Sequence, residues 1–260
     1  MSEEHKARVQ AQFGAAAEAY ATSKAHAQGQ SLAILAEWIQ PEPEWEALDV
    51  GTGAGHTALL FAPRVKRMTA SDITGAMLAK AAELAAQRGL NNFETRPADA
   101  ENLPFEAGSF DLVTCRIALH HFANPQQALS EFARVLKPGG VLGFADNVTA
   151  PDKQAAGYHN AFEKLRDPSH HWVYPLPRLQ AMVERAGFEV ERVSDIFSKE
   201  SEFHDWAGRQ RVSAANKEKL LAMMRNLPEA LQPLLAPRWA DGTLYFSQWE
   251  VVIVGRVGER

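Results

Sequence analysis

The stretch Leu48-Asp49-Val50-Gly51-Thr52-Gly53-Ala54-Gly55 carries the first recognisable chemistry of this chain. The apolar residues before Gly51 suit a buried strand, and Ala58-Leu59-Leu60-Phe61-Ala62 suits a helix. The glycines between them make a turn where a ligand can lie against bare backbone. Two acids follow at strand ends. Asp72, in Ala70-Ser71-Asp72-Ile73, stands about 20 residues beyond Gly51, where a carboxylate accepts from ribose hydroxyls. Asp99, in Pro97-Ala98-Asp99-Ala100, can accept from an adenine amine while the N–H of Ala100 reaches a ring nitrogen. The dinucleotide pattern G-x-G-x-x-G wants a third glycine where this chain has His56. A pyrophosphate needs that helix N-terminus packed closely on the strand, whereas a ligand without phosphate does not.

A second group follows the fourth strand. Arg116 and His120, in Cys115-Arg116-Ile117-Ala118-Leu119-His120-His121-Phe122, are four apart and would share a face on a helical turn. Histidine near neutral pH suits removal of a proton from a nucleophile. Tyr20, seven residues after Phe13, could close over a ligand or simply pack an amphipathic helix; Ser23 and His26 lie on the same segment. His170, His171 and Trp172 could line a substrate cavity or stand as ordinary partly buried cap residues, and Trp206, Arg209 and Gln248 read the same way. The nine histidines contain neither H-x-x-x-H nor H-E-x-x-H, so no metal site is expected.

These groups need an alternating chain to position them. Residues 7–38 read as Ala-rich helix, broken at Pro41-Glu42-Pro43-Glu44. Strands at 47–50, 67–71, 93–96, 110–115 and 141–145 alternate with helices at 56–62, 75–88 and 125–136, the last stopped by Pro138-Gly139-Gly140. Such alternation predicts a parallel sheet with helices on both faces. Residues 151–165 and 176–186 then read as helices, 188–193 as a sixth strand, 203–237 as mostly helical and 244–254 as a closing strand. The expected fold is α/β: a doubly wound, Rossmann-like, seven-stranded, mostly parallel sheet with a helical cap. Residues 1–45 would form N-terminal cap helices, 46–150 the ligand-binding core, and 151–260 a cap insertion plus the last two strands.

A net charge of −5 argues against a nucleic-acid partner, which calls for a concentrated basic face. A single cysteine excludes an intramolecular disulfide framework. No apolar run is long enough to span a bilayer, and Met1-Ser2-Glu3-Glu4-His5-Lys6 leads into no signal-like apolar segment, so a cytoplasmic protein is expected.

Leu103-Pro104-Phe105, Ser109-Phe110-Asp111-Leu112-Val113 and Arg134-Val135-Leu136-Lys137-Pro138-Gly139-Gly140 complete the pattern. With them, residues 10–150 resemble the class I S-adenosylmethionine-dependent methyltransferases. The branch is that of ubiquinone/menaquinone C-methyltransferases, the type 11 methyltransferases, through Gly53-Ala54-Gly55-His56-Thr57, Cys115 to Phe122 and Leu165-Arg166-Asp167-Pro168-Ser169-His170. The resemblance implies S-adenosylmethionine as cofactor and S-adenosylhomocysteine as product. Gly51, Thr52 and Gly53 would meet its methionine and ribose parts, Asp72 and Ile73 the ribose, and Asp99 and Ala100 the adenine. The backbone around Arg116 would face the methionine ammonium, Tyr20 would close over the cofactor, and Asp49 would brace the loop. Methyl transfer from a sulfonium is an in-line displacement, so alignment and exclusion of water supply much of the catalysis. His120 and Arg116 are the candidate catalytic pair, and their R-x-x-x-H spacing resembles a phenol-activating pair of aminocoumarin C-methyltransferases. The acceptor would be a small molecule, with quinone-like phenols, other aromatic or polyketide phenols and small carboxylates all open, methylated on carbon or oxygen by a monomer or homodimer. Two alternatives stay open: a non-catalytic S-adenosylmethionine sensor, and a nicotinamide-dependent oxidoreductase, which would want glycine at position 56.

Overall fold

The computed structural model describes residues 3–22 and 27–258. Ser23 and His26 therefore lie outside the described residues. Helix α1 (Glu3–Ala21) and α2 (Gln30–Trp38) stand where one long helical segment is predicted. The core then alternates as expected: β1 (Glu46–Val50), α3 (His56–Phe61), β2 (Arg67–Asp72), α4 (Gly75–Gln87), β3 (Phe93–Pro97), β4 (Phe110–Arg116), α5 (Pro125–Val135) and β5 (Leu136–Asn147). Asn124 caps α5 by accepting from the Gln127 N–H, with Pro125 in the first turn, where its missing N–H is harmless.

The second half adds α6 (Lys153–Arg166), α7 (Leu176–Arg185), β6 (Phe188–Val193), β7 (Phe197–Glu202), α8 (Phe203–Arg209), α9 (Ala214–Arg225), α10 (Gln232–Leu235), β8 (Arg238–Ala240) and β9 (Thr243–Val257). The strand path is β3-β2-β1-β4-β5-β9-β6, with β7 and β8 also paired to β9. Pairs from β3 through β5 are parallel, and every pair made by β9 is antiparallel. The expected seven strands are thus the path itself. Among the described residues the sheet has nine strands because β9, 15 residues long, runs out of the core and carries β7 and β8 on its free edges. The described residues beyond 150 consequently hold four strands, not two.

Alternation along the strands divides the core. Leu48, Val50 and Val113 face Phe132 and Phe144 on one side, while Ala47, Leu112 and Met68 face Leu35 and Phe61 on the other. A third core, built on Phe162, Phe203, Trp206, Leu231 and Phe246, belongs to the cap. Strand order reverses between β1 and β4, the position at which open α/β sheets place a ligand crevice. The glycine turn leaves the end of β1 and Ile117–Phe122 leaves the end of β4, so the two groups singled out by their chemistry flank that crevice. Among the described residues, no helix is long and apolar enough to cross a membrane.

Candidate active site

The glycine turn is built by its backbone. Gly51 and Gly53 both adopt positive φ, 64° and 53°. A Cβ on Gly51 would stand 2.7 Å from the Ala118 Cβ, so this glycine lets the β4 loop approach. A Cβ on Gly53 would meet nothing within 4 Å and would point into open space, as a ligand cradle requires. Gly55 has a different reason: its Cβ would meet Ala81 at 2.9 Å, so it serves the packing of α3 on α4 rather than a ligand.

Asp49 braces the turn from below. It accepts from the Thr52 and Thr114 hydroxyls, each at 2.6 Å. Burial pushes its pKa up to about 6 against those two hydrogen bonds. Asp72 accepts from the Gly53 N–H at 2.9 Å and the Thr74 N–H at 2.8 Å, one on each carboxylate oxygen. Each oxygen keeps lone-pair capacity, and both Asp72 and Ile73 line the cavity. Burial raises the Asp72 pKa, and the two backbone N–H donors oppose the shift.

At the third strand's end, Asp99 Oδ1 accepts from the Glu101 N–H at 3.0 Å. Its Oδ2 is paired with Lys6 Nζ of α1 at 2.8 Å, a contact with no signal in the spacing of the sequence. Ala100 lines the same cavity. Tyr20 also lines it, with its hydroxyl accepting from Gln210 Nε2 at 2.8 Å and its ring edge-on to Phe13 at 5.5 Å.

His56 has a positive role as well as being tolerated. Its Nε2–H donates to the Tyr20 carbonyl at 3.1 Å, tying α1 over the glycine turn. Burial lowers its pKa and keeps it neutral for that role. His56→Ala is expected to lose the tether and leave a buried space, destabilising the fold by about 1–3 kcal/mol. An unchanged urea midpoint would contradict this.

Arg116 and His120 are not on a helical turn. β4 ends at Arg116, Ile117 takes the left-handed φ of 55°, and only Leu119–His121 forms a short 3-10 turn. The reversal separates the two side chains. Arg116 Nε donates to Thr57 Oγ1 at 2.9 Å, and its Nη1 reaches Ser31 Oγ at 3.4 Å, away toward α3 and α2. Both residues nevertheless line the one cavity.

His120 has a partner that no spacing in the sequence reveals. Its Nδ1 lies 2.5 Å from Asp146 Oδ1, and its backbone N–H donates to Asp146 Oδ2 at 3.0 Å. Asp146 is 1% exposed, at the end of β5 beside β4. A buried carboxylate on Nδ1 places the proton there and leaves Nε2 as the acceptor. Burial lowers the His120 pKa, but the charge and hydrogen bond of Asp146 outweigh it, and the net shift is upward. His121 moves the other way, through burial and the neighbouring His120. The only sequence signal for Asp146 is an acid at the end of the apolar run Val141–Ala145.

The cap closes the far wall. His170 donates Nε2–H to Asn160 Oδ1 at 2.8 Å and, like Arg209 and Gln248, lines the cavity. His171 and Trp172 instead bond the His120 carbonyl through their backbone N–H groups, and Trp206 is sealed in the cap core. One cavity therefore joins a bare glycine turn, two strand-end acids and a carboxylate-oriented histidine. Such an arrangement can hold adenosine at one end and take a proton at the other.

Residues 48–144 match the family described as "Methyltransferase domain". The uncharacterised methyltransferase YcgJ of Bacillus subtilis is 38% identical over 170 residues, covering 65% of this chain and 67% of that protein. The ubiquinone/menaquinone biosynthesis C-methyltransferase UbiE of Brucella melitensis is 40% identical over 112 residues, 41% of this chain and 42% of UbiE. Among solved structures, BH2331 of Bacillus halodurans, named as a candidate methyltransferase, superposes with a TM-score of 0.84 at 35% identity, covering 88% of this chain and all of that one.

Proposed function

This chain belongs to the S-adenosylmethionine-dependent methyltransferases, and on that premise we propose that it methylates a phenolic or quinone-like small molecule on carbon or oxygen, with His120 as base. The family favours this reading over the nicotinamide and sensor alternatives. The observation that carries the base assignment is the Asp146–His120 pair, in the same cavity as the glycine turn.

When bound, S-adenosylmethionine supplies a methyl group on a sulfonium that leaves as a neutral thioether. The residues that would hold it are Asp99 and Ala100 at the adenine, Asp72 and Ile73 at the ribose, and the backbone of Gly51, Thr52, Gly53 and Arg116 along the methionine, under Tyr20. His120, held by Asp146, takes the proton from the acceptor as its nucleophile develops. Arg116 acts through the β4 end rather than beside His120, since its guanidinium turns toward Thr57 and Ser31. The helices α1 and α6 roof the cavity and keep water from competing.

The phenolic reading is tested with methyl-labelled S-adenosylmethionine and a panel of phenols and hydroquinones. Label transfer to at least one, with release of S-adenosylhomocysteine, is expected. Protein that binds S-adenosylhomocysteine but labels none of the panel would contradict it.

Lys6 makes a second prediction. Its ammonium holds the carboxylate oxygen that an adenine amine would use, so it competes for Asp99. A partly exposed ion pair contributes about 1 kcal/mol or less, so Lys6→Met should bind S-adenosylhomocysteine roughly two- to fivefold more tightly by calorimetry. Weaker binding would show that Lys6 supports the cofactor instead.

A further inference from the structure

We propose that Lys199 and Arg209 form an oxyanion subsite at the acceptor end of the cavity, and that the methyl acceptor carries a carboxylate or phosphate group there. The inference rests on the methyltransferase reading of the same cavity.

The cations of this wall differ in how they are satisfied. Arg166 donates to the Trp206 carbonyl at 3.2 and 3.3 Å, lies 4.3 Å over the Trp206 ring and faces Glu163 at 3.8 Å. Lys199 reaches Glu250 only at 3.5 Å, and Glu250 also lies in the field of Arg116. Arg209 has no hydrogen-bond or ion-pair partner among the described residues, although it lines the cavity partly out of water. A guanidinium withdrawn from water without an acceptor is unfavourable, and its planar fork matches an oxyanion. Gln248 adds a neutral donor: its Oε1 accepts from Ser201 Oγ at 3.1 Å, which leaves the amide nitrogen to face elsewhere. Lys199 and Gln248 are direct partners across β7 and β9, so both side chains leave the same face of the sheet.

The strand path separates this wall from the cofactor. The turn and acids that would hold adenosine follow β1, β2 and β3, and the methionine end is at β4. Lys199 and Gln248 lie beyond β5, on β7 and β9. Burial pulls the Lys199 pKa down, Glu250 offsets part of that, and the charge of Arg209 lowers it further. The charge of an arriving anion offsets the cost of burial and the repulsion between the two cations. The other source of an oxyanion is the cofactor's own carboxylate, because Arg209 also lies in the field of Tyr20.

Calorimetry separates the two sources. Protein saturated with S-adenosylhomocysteine is titrated with benzoate, 4-hydroxybenzoate, phenyl phosphate and benzamide. At least one anion is expected to bind about tenfold more tightly than benzamide. Lys199→Gln and Arg209→Gln should remove that preference, while their affinity for S-adenosylhomocysteine stays within about twofold of wild type. Anions that bind no better than benzamide overturn the proposal. So does Arg209→Gln protein that has lost affinity for S-adenosylhomocysteine, since the guanidinium then serves the cofactor. Wild-type protein that fails to bind S-adenosylhomocysteine overturns the methyltransferase reading itself, and this proposal with it.

Discussion

Replacing His120 with alanine is expected to lower turnover by about two to three orders of magnitude, with affinity for S-adenosylhomocysteine nearly unchanged. The asymmetry follows from placement. The groups proposed to hold the cofactor are Tyr20, the strand-end acids and the backbone up to Arg116 at the end of β4, whereas His120 sits past the reversal at Ile117 with its Nδ1 on Asp146. Asp146→Asn separates orientation from mere packing. Asparagine keeps the volume but removes the charge that raises the His120 pKa, so the imidazole would protonate only at lower pH. As the base must be neutral, the acid limb of the kcat/KM profile lies above the ordinary histidine range of about 6.5 in the wild type. It should move to lower pH in Asp146→Asn, while the plateau falls by roughly ten- to a hundredfold. An unmoved acid limb, or His120→Ala protein with wild-type turnover, would leave alignment alone as the catalytic device.

Asp72→Ala is expected to weaken S-adenosylhomocysteine binding about a hundredfold or more by calorimetry. Two effects combine there. Hydrogen bonds to a charged group contribute about 1.5–3 kcal/mol each, and ribose offers two hydroxyls. The same carboxylate also anchors the Gly53 and Thr74 N–H groups, so its loss loosens the turn that cradles the ligand. Asp99→Ala removes a single adenine contact and also releases Lys6, so only about a tenfold loss is expected. Equal losses at the two positions would contradict this ordering.

The residues legible in the sequence are those whose role is local. Leu48 to Gly55 announces its strand and turn because a buried parallel strand is apolar along its length and the turn must be glycine. Asp72 and Asp99 are legible because each closes a strand of the same alternation. Contacts made across the sheet are not. His120 meets Asp146 because β4 and β5 are neighbours with Arg116 opposite Ala145, a register no spacing within either segment reveals. β7 and β8 escape notice for a related reason. Phe197-Ser198-Lys199-Glu200-Ser201-Glu202 is polar and Arg238-Trp239-Ala240 short, and both exist only because β9 supplies their hydrogen bonds. His56 is partly legible: the chemistry of a phosphate-free ligand explains why glycine is unnecessary, while its bond to the Tyr20 carbonyl depends on where α1 lies.

A crystal structure with S-adenosylhomocysteine tests whether one cavity holds the methyl donor with its reactive end at His120. Ribose hydroxyls on Asp72, the adenine amine at Asp99 with Lys6 displaced, and sulfur facing the space beside His120 Nε2 are expected. Ribose bound away from Asp72, or sulfur turned from His120 behind an intervening side chain, would contradict it.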